Sequence, residues 1–139
     1  MEDSLGIVIS DLVLSRAPTL FFKTRIVRKV CVYPPPPALD EPKQETIARW
    51  TKAPEAGWES YPLIAVYREL KKQLGGDPQM LPAVESLLVR GILKRRFPAV
   101  NSAVDVANLV SIKHLVPIGL FDFDKITGNL ELTLSATGD

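Results

Sequence analysis

Pro62-Leu63-Ile64-Ala65-Val66-Tyr67-Arg68-Glu69-Leu70-Lys71-Lys72-Gln73-Leu74-Gly75-Gly76 is the stretch from which the architecture can be read. Leu63, Val66, Tyr67, Leu70 and Leu74 stand at i, i+3, i+4, i+7 and i+11, the spacing of one helix face. A helix's first turn has spare N–H groups, so the one that Pro62 lacks is not missed there. Gly75 and Gly76 adopt at little cost the left-handed conformation that ends a helix. Toward the C-terminus, Pro82 opens another helix with Val84, Leu87, Leu88 and Gly91 on one face, ending before Phe97-Pro98. Ser102 and Asp105 have capping-box spacing and begin the next, which turns Val104, Ala107 and Val110 or Ser111 inward. Leu130-Glu131-Leu132-Thr133-Leu134 alternates strictly after a Thr127-Gly128-Asn129 turn and predicts a half-buried strand.

Toward the N-terminus, Pro42 starts a helix reaching about Lys52, and residues 34–43 form a proline-rich connection. Within it Pro34 to Pro37 are held extended, because each ring fixes φ and disfavours the α region for its predecessor. Leu5 to Ile9 and Arg25 to Tyr33 are rich in Ile and Val without helical spacing and read as strands. Leu12 to Phe22, broken by Pro18, reads as a third or bent strand. Strands over 1–33, then helices, then a last strand within 44–139 predict one α+β domain, a layered mixed sheet with helices packed on one side.

Composition narrows the function. The chain has 139 residues, 46% hydrophobic and 24% charged, with 17 basic residues against 16 acidic. That length supports one core rather than two. A net charge of +1 makes no global claim on nucleic acid or membrane. No apolar run approaches a membrane span and Met1-Glu2-Asp3 is acidic, so the expected location is cytoplasmic with no membrane partner. One cysteine, Cys31, excludes an internal disulfide, and one histidine, His114, excludes a His/Cys zinc cage. No metal or other cofactor is expected.

Candidate chemistry is sparse. Asp122-Phe123-Asp124 would suit a cation if both carboxylates shared a strand face, but Asp is equally at home in a turn, which is the preferred reading. His114 reads as a helix-end residue and Cys31 as a small apolar one in a strand. Arg90, Lys94, Arg95 and Arg96 gather four positive charges in seven residues at a helix end. They serve either as dipole compensation or, with Phe97 as a stacking group, as an RNA phosphate contact. A second basic run extends from Lys23 to Lys29. Asp105 and Asn108 lie three apart on one helix, and such polar groups beside Val104 and Ala107 typically pin a neighbouring loop.

Pro82 to Arg90, Phe97 to Asn101, Val104-Asp105-Val106-Ala107-Asn108-Leu109-Val110-Ser111 and Pro117 to Ile126 with Gly128 resemble, in order, the stand-alone relatives of the B-three/B-four domain. That domain is the tRNA-editing module of the phenylalanyl-tRNA synthetase beta subunit. The resemblance implies a pocket or structural motif at Asp105, Asn108, Pro117, Gly119 and Asp122, and a tRNA or aminoacyl-tRNA partner. Gly119 stands where the family carries a histidine linked to hydrolysis, and family members continue with further strands beyond the position of Asp139. No catalytic residue is therefore assigned. The expected function is a tRNA- or aminoacyl-tRNA-binding module; the alternatives are a trans-editing hydrolase of mischarged aminoacyl-tRNA and a non-catalytic interaction scaffold. The apolar face of the last strand predicts a homo-oligomer or a separately encoded C-terminal half as partner.

Overall fold

The computed structural model describes residues 5–52, 57–93 and 97–135. Its elements run β1 (Ile7–Ile9), α1 (Asp11–Arg16), α2 (Asp40–Thr51), α3 (Pro62–Gln73), α4 (Ala83–Leu93), α5 (Ser102–His114) and β2 (Leu130–Leu132). Single 3-10 turns lie at Pro37–Leu39, Trp58–Ser60 and Phe123–Lys125. The class is α+β, helices with a small sheet. Among the described residues that sheet is β1 paired in parallel with β2, in the register Ile7↔Leu130, Val8↔Glu131 and Ile9↔Leu132. The expected alternation in the last strand holds, with Leu130, Leu132 and Leu134 half-buried and Glu131 and Thr133 exposed. Ser10 N–H donates to the Leu132 carbonyl at 3.0 Å and extends the ladder by one bond.

Helices α2, α4 and α5 pack on one another. Their core consists of Trp50, Val84, Leu88 and Ile112, closed by Ile64 of α3 and by Phe97 and Leu115 from the loops beside α5. Tyr61 meets the Trp50 ring edge to face at 5.0 Å. Such a pair contributes roughly 0.5–1.5 kcal/mol beyond its buried area. Leu115 ends α5 in the left-handed conformation with φ 55°, which a leucine adopts at a cost of about 1–2 kcal/mol. Two things offset that cost. The Leu115 side chain is buried in the core, and the Ser111 hydroxyl donates to the Val116 carbonyl at 2.7 Å, clamping the chain exit.

Four expectations for the N-terminal third require correction. The stretch from Leu12 is helix α1, not strand. Ser10 caps it by accepting the Val13 N–H, Asp11 occupies its first turn, and Pro18 follows its end. Val13 and Ala17, four apart, supply its buried side. Residues 25–33 form no strand and are almost wholly exposed, because among the described residues no second strand lies beside them to satisfy their backbone. Cys31 is accordingly exposed rather than buried. The connection expected over 34–43 ends sooner, since the 3-10 turn begins at Pro37 and α2 at Asp40.

Two adjustments concern the helices. On α3 the deeply buried residue is Ile64, at 1% exposure, while Leu63 and Val66 face solvent. The cap of α5 is Asn101, whose side chain accepts the Val104 N–H at 2.9 Å. Ser102, expected to begin the capping box, instead receives the Tyr33 N–H at 3.0 Å.

Candidate functional site

A cleft of about 400 Å³ opens where α3 ends and α4 begins. Tyr67, Leu70 and Lys71 of α3 and Leu74 at its C-cap form one wall, Pro82, Ala83 and Val84 the opposite one, and Pro117 with Thr133, Leu134 and Ser135 closes the end. The turn between the helices contributes Gly75 and Gly76 to the lining. Gly75 takes φ 79°, and Gly76 leaves no room for a side chain, since a Cβ there would lie 2.7 Å from Lys71 Cγ. Asp77 then accepts the Gln79 N–H at 2.8 Å, and the Met80 N–H returns to the Asp77 carbonyl at 3.1 Å. Lys71 donates from its ammonium to the Met80 carbonyl, which holds its stem along the cleft wall.

The lining is mostly apolar, with Tyr67, Lys71, Thr133 and Ser135 as the residues that carry polar side chains. Burial pushes the Tyr67 hydroxyl above its ordinary value, so it remains a neutral donor. Among the described residues no carboxylate and no imidazole lines the cleft. It is equipped to hold an apolar group beside a hydrogen-bonded polar one.

Two ion pairs tie the helices together, one of them between the two helices that line the cleft. Glu85 is buried, one residue past the cleft wall, and Arg68 of α3 grips it through both guanidinium arms, Nε to Oε2 at 2.9 Å and Nη2 to Oε1. The hydrogen bond to Glu85 raises the Arg68 guanidinium further above its ordinary value. The second pair is deeper. Asp105, with 0% exposure, accepts from Lys43 Nζ at 2.6 Å and from the Val100 N–H at 2.9 Å. Burial alone would push the Asp105 carboxyl up; the Lys43 ammonium and the Val100 and Asn101 backbone outweigh it and hold the carboxyl below its usual value. Lys43 also lies 5.7 Å from the centre of the Phe97 ring. Asp105 thus pins the 97–101 loop and α2 to α5, the loop-fixing role expected of it.

Of the residues singled out from sequence, Pro117 is in the cleft. Asp105 is buried in the core and does not line the cleft, and Asn108 is half-buried one turn further along α5. Gly119 is exposed, with Phe121 Cε2 3.2 Å from where a Cβ would stand. Asp122 caps the Phe123–Lys125 turn by accepting the Asp124 N–H at 3.2 Å, as the turn reading required. No group of three His, Cys, Asp or Glu among the described residues could hold a metal. Arg90 is exposed on α4, while Lys94, Arg95 and Arg96 lie outside the described residues. His114 is the exposed last residue of α5. Sequence reasoning passed over Lys71, Lys43 and Glu85. The last had left a signal, a carboxylate between Val84 and Leu88 in the apolar stripe of its helix.

Residues 67–139 match the family profile described as the B3/4 domain. All the lining residues of the cleft, from Tyr67 to Ser135, fall within that span. Neither the curated proteins nor the solved structures provide a match. No helix among the described residues is long and apolar enough to cross a membrane.

Proposed function

Since the chain belongs to the B3/4 domain family, we propose that it is a tRNA- or aminoacyl-tRNA-binding module whose cleft receives the aminoacylated end. The observation that carries this reading is the coincidence of the cleft with the family segment: its walls are built wholly from residues 67–135. In this arrangement the amino-acid side chain lies against Leu70, Leu74 and Leu134, and the ester end meets the Tyr67 hydroxyl and Lys71. Arg90, with Lys94, Arg95 and Arg96, contacts phosphates along the acceptor stem. A tRNA partner implies a cytoplasmic protein. It also implies that the β1–β2 pair corresponds to part of the layered sheet of the synthetase editing domain.

Binding is favoured over hydrolysis because the described cleft offers no general base, and Glu85, the nearest buried carboxylate, is committed to Arg68. Ala83→Phe tests the reading by filling the cleft from the first turn of α4, where residue 83 is exposed and its change leaves the core alone. The expected result is loss of any preference for aminoacylated over deacylated tRNA, with affinity for deacylated tRNA retained. An unchanged preference in the variant would remove the cleft from RNA recognition.

A further inference from the structure

Between Asp11 and Asp40 the chain has no acidic residue and five basic ones, Arg16, Lys23, Arg25, Arg28 and Lys29, although the whole protein carries only +1. Most of that stretch, residues 19–35, runs without helix or strand across the surface. It is anchored near its ends. The Leu20 N–H donates to the Ala17 carbonyl, and the Tyr33 backbone exchanges hydrogen bonds with Ser102, giving its N–H to the Ser102 hydroxyl and accepting the Ser102 N–H at 2.9 Å. In between, Arg28 sits over the Phe123 ring. Apart from half-buried Ile26, the rest faces solvent: Phe21 is 82% exposed, Phe22 and Tyr33 about half or more, and Lys23, Arg25 and Lys29 are exposed among them.

Leaving large aromatic rings in water is unfavourable, and this stretch interleaves them with cations. A second copy of the chain is a poor partner, because pairing two such stretches would set their cations against each other. A base-paired duplex takes the charges but keeps its base faces hidden from the rings. Single-stranded nucleic acid offers phosphates for the cations and open base faces for the rings, the combination found in sequence-tolerant single-strand binders. We propose that residues 19–33 form a binding arm for single-stranded RNA, separate from the family segment. The choice of RNA rests on the functional reading above; the choice of a single strand rests on the arm itself.

The experiment is fluorescence anisotropy on the full chain with a labelled single-stranded RNA oligonucleotide of mixed sequence, its duplex, and a poly-glutamate peptide. The variants are K23Q/R25Q/K29Q and F21A, each checked for unchanged circular dichroism. The arm predicts saturable binding of the single strand in preference to the duplex. The triple variant should weaken it about tenfold and shallow the slope of log K against log salt by about 2, since each lost single-strand phosphate contact removes about 0.7. F21A should weaken it about fivefold with the slope unchanged.

Absence of oligonucleotide binding, or unchanged affinity in both variants, overturns the arm. So does poly-glutamate binding as tightly as RNA, which would assign the stretch to an acidic protein. Self-association lost in F21A with RNA affinity intact also overturns it, in favour of a second copy. The functional reading fails differently: an oligonucleotide-binding chain that cannot distinguish aminoacylated from deacylated tRNA keeps the arm and loses the cleft. A chain that distinguishes them but ignores the oligonucleotide keeps the cleft and loses the arm.

Discussion

Helix α4 carries six Val, Leu or Ile in eleven residues and residues 19–33 five in fifteen, with two Phe and a Tyr besides, yet they end in opposite environments. Val84 and Leu88 are each 1% exposed, whereas Val27 is 66% exposed. The difference lies in how each satisfies its backbone. A helix pairs its own N–H and C=O groups, so an apolar stripe at the right spacing suffices to bury one side. A β-prone run must find a second strand first, and among the described residues 19–33 has none beside it. Apolar content therefore predicts burial only where the backbone can be satisfied, and the unsatisfied run is left to serve the surface.

The comparison is broken most severely at the buried pair that holds the helical region together. Lys43→Met strands the fully buried Asp105, and removing one partner of such a pair costs about 3–5 kcal/mol, read as a shift in urea unfolding at pH 7. The pH profile supplies the sign. In the native protein the Asp105 carboxyl is held below its ordinary value of 3.8, so its contribution is fully present above that pH and is lost as the pH falls through the depressed value. With Lys43 gone, burial dominates and the carboxyl rises. The variant's deficit should therefore shrink on acidification toward pH 4, opposite to wild type. A deficit that is constant with pH would mean that Asp105 is not ionised in the core.

A smaller effect is expected at the α5 cap. Asn101→Ala removes the acceptor for the Val104 N–H and should cost about 1 kcal/mol in the same unfolding measurement. The smallest belongs to the exposed stretch: Val27→Ser with Val30→Ser should change stability by no more than about 0.5 kcal/mol. A loss of several kcal/mol there would show that 19–33 is packed in solution and would dissolve the contrast with α4.

Much of the helical region was legible because its signals are local. Pro62 and Pro82 mark helix starts, Gly75 and Gly76 a stop, and the stripe on α4 faces the core as its spacing requires. Helix α1 was missed because its six residues are too few to display a period; only the Ser10 cap and Asp11 announce it. The partners of Asp105 and Glu85 were not legible at all. Lys43 is 62 positions from Asp105 and Arg68 is 17 from Glu85, and no local pattern encodes such pairings. The cleft was half visible. Its α3 face was read as core, since Tyr67, Leu70 and Leu74 obey helical spacing whether they meet another helix or an opening.

The central claim, that a cleft built from the B3/4 segment recognises an aminoacylated RNA end, is tested most directly by one titration. The affinity of the full chain is measured for one tRNA, aminoacylated with a non-hydrolysable amide linkage and deacylated, at low and moderate salt. Both forms should bind saturably and weaken alike as salt rises, because their phosphate contacts are shared. The aminoacylated form should be tighter by about tenfold or more, a difference of about 1.4 kcal/mol that Leu70, Leu74 and Leu134 can supply by covering one side chain. Equal affinity for the two forms would contradict the claim.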